Sequence, residues 1–237
     1  MHLPNEQGCF ILGGADNENN YSKRVQYFCK YNVFVEKPPM ISKRAFFPSL
    51  FAKLDNSIYA LGGSDSNSSD LNKCEKFSLI ENVWRPIAPM NLNRNGTAAV
   101  LLEQYRLIFT FGGNNHKHGS IKKIEKYEID FDKWSIITTQ MKSAIHDLTV
   151  FPVGGERVLI LGGHTNTEPN KDIHLVDLSF ECLKSRSGKT MMIKEGGKTY
   201  FPPAFDQATG KISLIFGYCD IQPMIEEIDV AELLTGP

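Results

Sequence analysis

Four glycine pairs set the frame of this chain. Gly13-Gly14, Gly62-Gly63, Gly112-Gly113 and Gly162-Gly163 each close an apolar run, and their second glycines are 49, 50 and 50 residues apart. The runs are Phe10–Leu12, Ile58–Leu61, Leu107–Phe111 and Val158–Leu161. A weaker copy, Ile212–Phe216, ends in Gly217-Tyr218, with Tyr218 55 residues beyond Gly163. A period near 50 residues marks repeated supersecondary units that bury their apolar faces only by stacking on one another.

The residues between the pairs keep the same order. Tyr27, Phe77 and Tyr127 follow Gly14, Gly63 and Gly113 by 13, 14 and 14 residues, and Phe34, Trp84 and Trp134 come seven later. Val176 and Leu183 hold these slots in the fourth copy. Met40 and Met90 come six residues after the second aromatic and Met141 seven; Arg44 and Arg94 follow four further on, with Ile145 at that phase in the fourth copy.

This layout of apolar strand, glycine pair, polar loop and two aromatics seven residues apart resembles the kelch repeat of β-propellers, from Cys9 to about Leu234. The resemblance implies an all-β fold of four-stranded antiparallel blades in a single domain over 1–237, with repeats near 1–41, 42–91, 92–142, 143–198 and 199–237. Glycine supplies positive φ and close backbone approach at the pairs, and the aromatic pair fills the wedge between blades. The first strand of the second blade is expected near 46–53, followed by 58–61, 74–79 and 83–87. The third blade repeats this at 97–102, 107–111, 124–129 and 133–137, and the fourth at 148–153, 158–161 and 173–178. Gly154-Gly155 reads as a hairpin turn, and Gly196-Gly197 falls in an insertion between Lys184 and Lys198. The terminal blades each come out one strand short, which implies either an irregular five-bladed ring or part of a six-bladed one completed by further domains or chains.

Composition excludes several classes. A formal net charge of −1 argues against a nucleic-acid or anionic-membrane binder. The sequence holds no 18-residue apolar run and no basic-then-apolar leader. Cys9, Cys29, Cys74, Cys182 and Cys219 show no Cys-x-x-Cys pairing, so reduced thiols in a cytoplasmic protein are expected.

Function is expected in the loops. In the resemblance, the loops after the glycine pairs share a face with the loops joining one blade to the next. Here both sets are rich in Asn, Ser, Asp and His. Arg44, Arg94, Asn93, Asn114, His116 and His164 are the candidate partner-binding residues. Some kelch domains read acidic motifs with arginines on this face, so a protein or peptide partner with carboxylates is favoured, gripped by guanidinium forks. The alternative for both arginines is bracing of a neighbouring blade. His116-Lys117-His118, His146 and His164 raise a metal question, but the spacing matches no ligand pattern, and no metal or cofactor is expected. No nucleophile elbow, His-Glu-x-x-His or phosphate-binding loop occurs, so no catalytic residue is assigned. The expected function is a non-catalytic interaction module. The alternatives are a small-molecule enzyme using the channel mouth, as in the copper oxidases and sugar epimerases that resemble kelch propellers, or an actin-associated structural protein.

Overall fold

The computed structural model describes residues 8–65 and 69–178, with the backbone of strands at 191–192, 204–206, 211–216 and 224–229. The first sheet holds β1 (Gly8–Leu12), β2 (Val25–Cys29) and β3 (Phe34–Lys37). The second holds β4 (Ser49–Ala52), β5 (Ser57–Leu61), β6 (Cys74–Ser78) and β7 (Val83–Ile87), each antiparallel to the next. The third runs β8 (Ala98–Leu102), β9 (Leu107–Phe111), then, past a small hairpin of β10 (Asn114–Asn115) and β11 (Gly119–Ser120), β12 (Lys123–Glu128) and β13 (Lys133–Gln140). The fourth holds β14 (Thr149–Pro152), β15 (Arg157–Leu161), β16 (Asp172–Asp177) and β17 (Met191–Met192). The last is β18 (Ala204–Asp206), β19 (Lys211–Phe216) and β20 (Met224–Asp229). Two single 3-10 turns are the only helical segments among the described residues. The protein is therefore all-β, built of meandering antiparallel blades.

By contacts the chain divides into two compact units. One comprises 1–110, 115–117 and 125–136; the other comprises 111–114, 118–124 and 137–237.

In the first unit the repeat landmarks become two cores. Phe10, Val25, Met40, Ile58, Phe77 and Trp84 are buried together between the first and second sheets. Tyr59, Leu61, Cys74, Met90, Ile108, Tyr127 and Trp134 form the next. Each indole also donates its Nε1–H to a main-chain carbonyl 46 residues upstream, Trp84 to Pro38 and Trp134 to Ala88, both at 2.9 Å. A buried Trp needs that partner for its polar edge. The methionines have a defined place. A Cβ on Gly62 would sit 2.7 Å from Met90 Cε and 2.8 Å from the Arg94 carbonyl oxygen, so the first glycine of the pair leaves room for the methionine thioether. The second glycine answers to backbone: at Gly63, φ is +95° and a Cβ would lie 2.5 Å from the Ala45 carbonyl oxygen.

Three expectations need correction. Phe34 is 55% exposed and stacks on Phe28 at 4.8 Å instead of filling a wedge. The cause is register: Tyr27 pairs with Val35 and Phe28 with Phe34, whereas Phe77 pairs directly with Trp84. One residue of slip moves a strand side chain to the other face. The supposed insertion at 184–198 contains β17, which pairs Asp172 with Met192 and Ile173 with Met191. The innermost strand of the second blade starts at Ser49, not near 46, for a reason found at Phe46 below. Leu183, Cys182, Cys219, Gly196-Gly197, Gly217-Tyr218 and Leu234 lie outside the described residues.

Candidate interaction surface

The post-glycine loops and the inter-blade turns do meet. Gly14 N donates to the Arg44 carbonyl and Arg44 N to the Ser22 carbonyl, both within 3.0 Å. Ala45 and Ser64 exchange both main-chain bonds, at 3.0 and 2.9 Å. Gly63 N donates to the Arg94 carbonyl and Arg94 N to that of Leu71. In the second unit His146 and His164 exchange the same pair of bonds, at 2.9 and 2.8 Å. Each turn is thus stitched to glycine loops at one end of the strands.

The two arginines are inside this stitching. Arg44 and Arg94 have no accessible surface, so neither guanidinium faces an external carboxylate. Arg44 donates from Nη1 to the Gly62 and Lys73 carbonyls and from Nη2 to Glu75; Arg94 Nη2 donates to Glu125 at 2.8 Å. Burial pushes the Arg94 pKa down and Glu125 pulls it back up; guanidinium stays charged throughout. Glu75 also accepts from Ile41 N (2.6 Å) and Ser42 N (3.2 Å), and Glu125 from Asn91 N (2.7 Å) and Leu92 N (3.1 Å). One buried carboxylate therefore holds an entire turn, and the bracing role left as the alternative describes these contacts. Sequence reasoning passed over both glutamates, although each lies 31 residues after its arginine and 12 after its glycine pair.

The remaining candidates stand at the surface. In the first unit, exposed Asn93 receives a bond on its carbonyl from Asn115 Nδ2 at 2.9 Å. His116 is 55% exposed at its side chain, yet firmly placed. Its main-chain N lies 2.6 Å from Asp70 Oδ2 and its Nδ1 2.8 Å from Asp70 Oδ1. Asp70 is buried and also accepts from Asn95 Nδ2. With Nδ1 turned to a carboxylate, Nε2 is the ring nitrogen left for an outside group. In the second unit, Asn114 and His164 are half-buried; the His164 ring lies 6.0 Å from that of His146. His146 Nδ1 sits 2.9 Å from Ser120 Oγ, which donates to Asn166 Oδ1 at 2.8 Å. Asn166 Oδ1 also accepts Ser120 N at 2.8 Å, so the hydroxyl proton is committed to it and His146 Nδ1 is the donor toward Ser120. Asp70 and Ser120 both lie seven residues after a glycine pair, and His116 and Asn166 both three after one, but the residue types differ, so no repeated residue marked these positions in the sequence.

Among the described residues no group of three or more His, Cys, Asp or Glu is arranged to hold a metal ion. Cys9, Cys29 and Cys74 are unbridged, and burial pushes the Cys74 thiol up to about 12, far from a reactive thiolate. No helix of the described residues is long and apolar enough to cross a membrane.

Comparison with known proteins agrees with the architecture. The family profile described as Kelch motif matches residues 51–91, the span of the second blade. "Kelch-like protein 25" of Xenopus tropicalis is 30% identical over 171 residues, covering 67% of this chain and 28% of the relative. "Kelch-like protein 38" of Homo sapiens is 26% identical over 201 residues, 81% of this chain and 33% of the relative, and "Kelch-like protein 36" of Bos taurus 30% over 134 residues, 53% and 21%. The chain thus spans a third or less of the length of these relatives. Its class is that of the blade-forming repeat proteins. Within that class it is a kelch-repeat protein.

Proposed function

We propose that this chain is a non-catalytic interaction module that binds a partner peptide or protein on the surface made by its glycine loops and inter-blade turns. The observation that carries the reading is His116, an exposed imidazole whose orientation is fixed by a buried carboxylate. A fixed polar group at the surface loses little conformational entropy on binding. Asn93 extends this surface in the first unit, with Arg44 and Arg94 supporting it from beneath, and Asn114 and His164 are the candidate partner-binding residues of the second unit. The partner is a protein, met in the cytoplasm, with no nucleic acid, membrane or cofactor involved. The whole chain acts as one propeller domain, and the side of β1 that pairs with no strand among the described residues accepts a strand from a further segment or chain that completes the ring.

A photo-crosslinking residue at Lys117 tests the reading against one at Ile80, in the β6–β7 turn at the other end of the strands. Capture of a defined protein from native extract through Lys117 and not Ile80 is the expected result. Capture through Ile80 alone overturns it.

A further inference from the structure

Phe46 occupies a conformation that its side chain disfavours. Its φ is +56°, and its ring is 59% exposed. A left-handed backbone is rare for a bulky residue and is strained. The equivalent positions, two residues after Arg94 and Ile145, hold Gly96 at +55° and Asp147 at +52°, types that tolerate it better. The backbone has no freedom to relax. Arg44 N bonds to Ser22, Ala45 pairs with Ser64, and the Phe46 carbonyl accepts Gly96 N at 2.8 Å. This clamp is also why β4 starts only at Ser49. The strained backbone weakens folding and a mostly exposed ring recovers little of that cost, so burial gives no reason for phenylalanine here.

The surroundings supply one. The Phe46 ring meets Tyr21 edge-on, centroids 6.5 Å apart. Tyr21 also lines a cleft of about 580 Å³, together with Lys23, Arg24, Lys37 and Lys43. Its two carboxylates are already engaged: Asp16 by Asn20 at 2.8 and 2.9 Å, and Glu36 by Arg24. Lys23 and Lys43 are exposed and make no ion pair among the described residues.

We infer that Tyr21 and Phe46 form an aromatic anchor, and Lys23 and Lys43 its cationic flank, for a peptide segment of a partner protein that presents an aromatic side chain among carboxylates. The inference rests on the interaction-module reading and names the partner's chemistry. The probe is a fluorescein-labelled ten-residue peptide of glutamates around one phenylalanine, titrated into the full chain by anisotropy in low salt. Phe46→Gly, which suits the backbone, weakens binding about tenfold or more, in the range of an anchoring aromatic. The same change leaves the melting temperature unchanged or raises it by about 2–4 °C as strain is released. Lys23→Glu with Lys43→Glu weakens binding in low salt and leaves little further salt dependence. A probe with alanine for phenylalanine binds the parent as weakly as the intact probe binds Phe46→Gly. Equal affinity of parent and Phe46→Gly, or no binding by the parent at millimolar probe, overturns the inference. If Lys117 cross-linking persists undiminished in Phe46→Gly, the interaction-module reading stands and only this anchor falls.

Discussion

The turns at 40–46 and 90–96 are built around a buried ion pair, whereas the turn at 141–147 performs the same task without one. At the phase of Arg44 and Arg94 it has Ile145, fully buried. At the phase of Glu75 the partner has changed too: Ala60 faces Glu75 across β5–β6, and Ile160, also three before the second glycine, faces His174. Both members differ together from those of the second blade. That is the pattern expected when loss of one partner strands a buried charge at great cost while loss of both costs little. The main-chain geometry is unaffected, since Gly113 N still donates to the Ile145 carbonyl at 2.9 Å, as Gly63 N does to Arg94 at 3.0 Å. Backbone stitching therefore defines the turn, and the ion pair is one of at least two ways to fill the space beneath it.

The strongest test of this contrast removes only the carboxylate. Glu75→Ala strands the Arg44 guanidinium and strips the Ile41 and Ser42 amides of their acceptor. A cost of about 3–5 kcal/mol is expected, read by denaturant unfolding. Arg44→Ala is the milder cut, because Glu75 keeps both main-chain donors; roughly 1–3 kcal/mol is expected. Equal losses from the two would show that the glutamate has no special organising role. It follows that removing both arginines lowers stability, and any loss of partner affinity in such a variant has to be read against its melting curve.

Smaller still is the effect of imitating the 141–147 turn. Arg44→Met with Glu75→Leu replaces the pair by apolar volume and is expected to fall within about 1 kcal/mol of the parent or to stabilise it. The amides of Ile41 and Ser42 then lose their acceptor, which limits the gain. A loss near that of Glu75→Ala alone would mean that the carboxylate serves those amides more than it serves the arginine.

The comparison also shows what a sequence can and cannot disclose here. Blade period, strand order and the roles of Trp84 and Trp134 were legible because they repeat, and repetition separates signal from local noise. Arg44 and Arg94 repeat as well, and that made them look like a ligand site. Repetition reports a shared structural need at least as readily as a shared function, and their equally periodic glutamates were the clue to which one held. The surface cluster of Asp70, Asn95 and His116 recurs in position as Ser120, His146 and Asn166, but with every residue type changed, so it left no trace as a repeated residue. Phe46 opens an aromatic, apolar run that fits a strand; the main-chain bonds of Arg44 to Ser22, of Ala45 with Ser64 and of Gly96 to Phe46 instead hold it in a left-handed turn. Phe34 misled for the opposite reason: spacing seven from Tyr27 was preserved while strand register slipped by one.

His174 offers the finest distinction between the two kinds of turn. It is buried, and among the described residues no hydrogen-bond partner reaches its Nε2. Burial lowers its pKa from the ordinary value of 6.5; Asp172, 3.8 Å away, opposes that shift, and Lys142, paired with Asp172 at 3.5 Å, adds to it. With the folded value below the unfolded one, the unfolded chain binds more protons between the two. Stability is therefore full above pH 6.5 and falls as pH drops through that window toward the folded value. In the second blade a glutamate, Glu75, stands at this phase in place of the histidine. His174→Gln keeps a polar side chain of similar reach and removes the titration. The expected result is a flatter stability-against-pH curve just below pH 6.5, with little change above it, followed by urea unfolding at half-unit steps. An identical slope in parent and His174→Gln would assign the acid sensitivity to other groups and leave His174 as a neutral filler, equivalent in effect to the apolar side chain of Ile145.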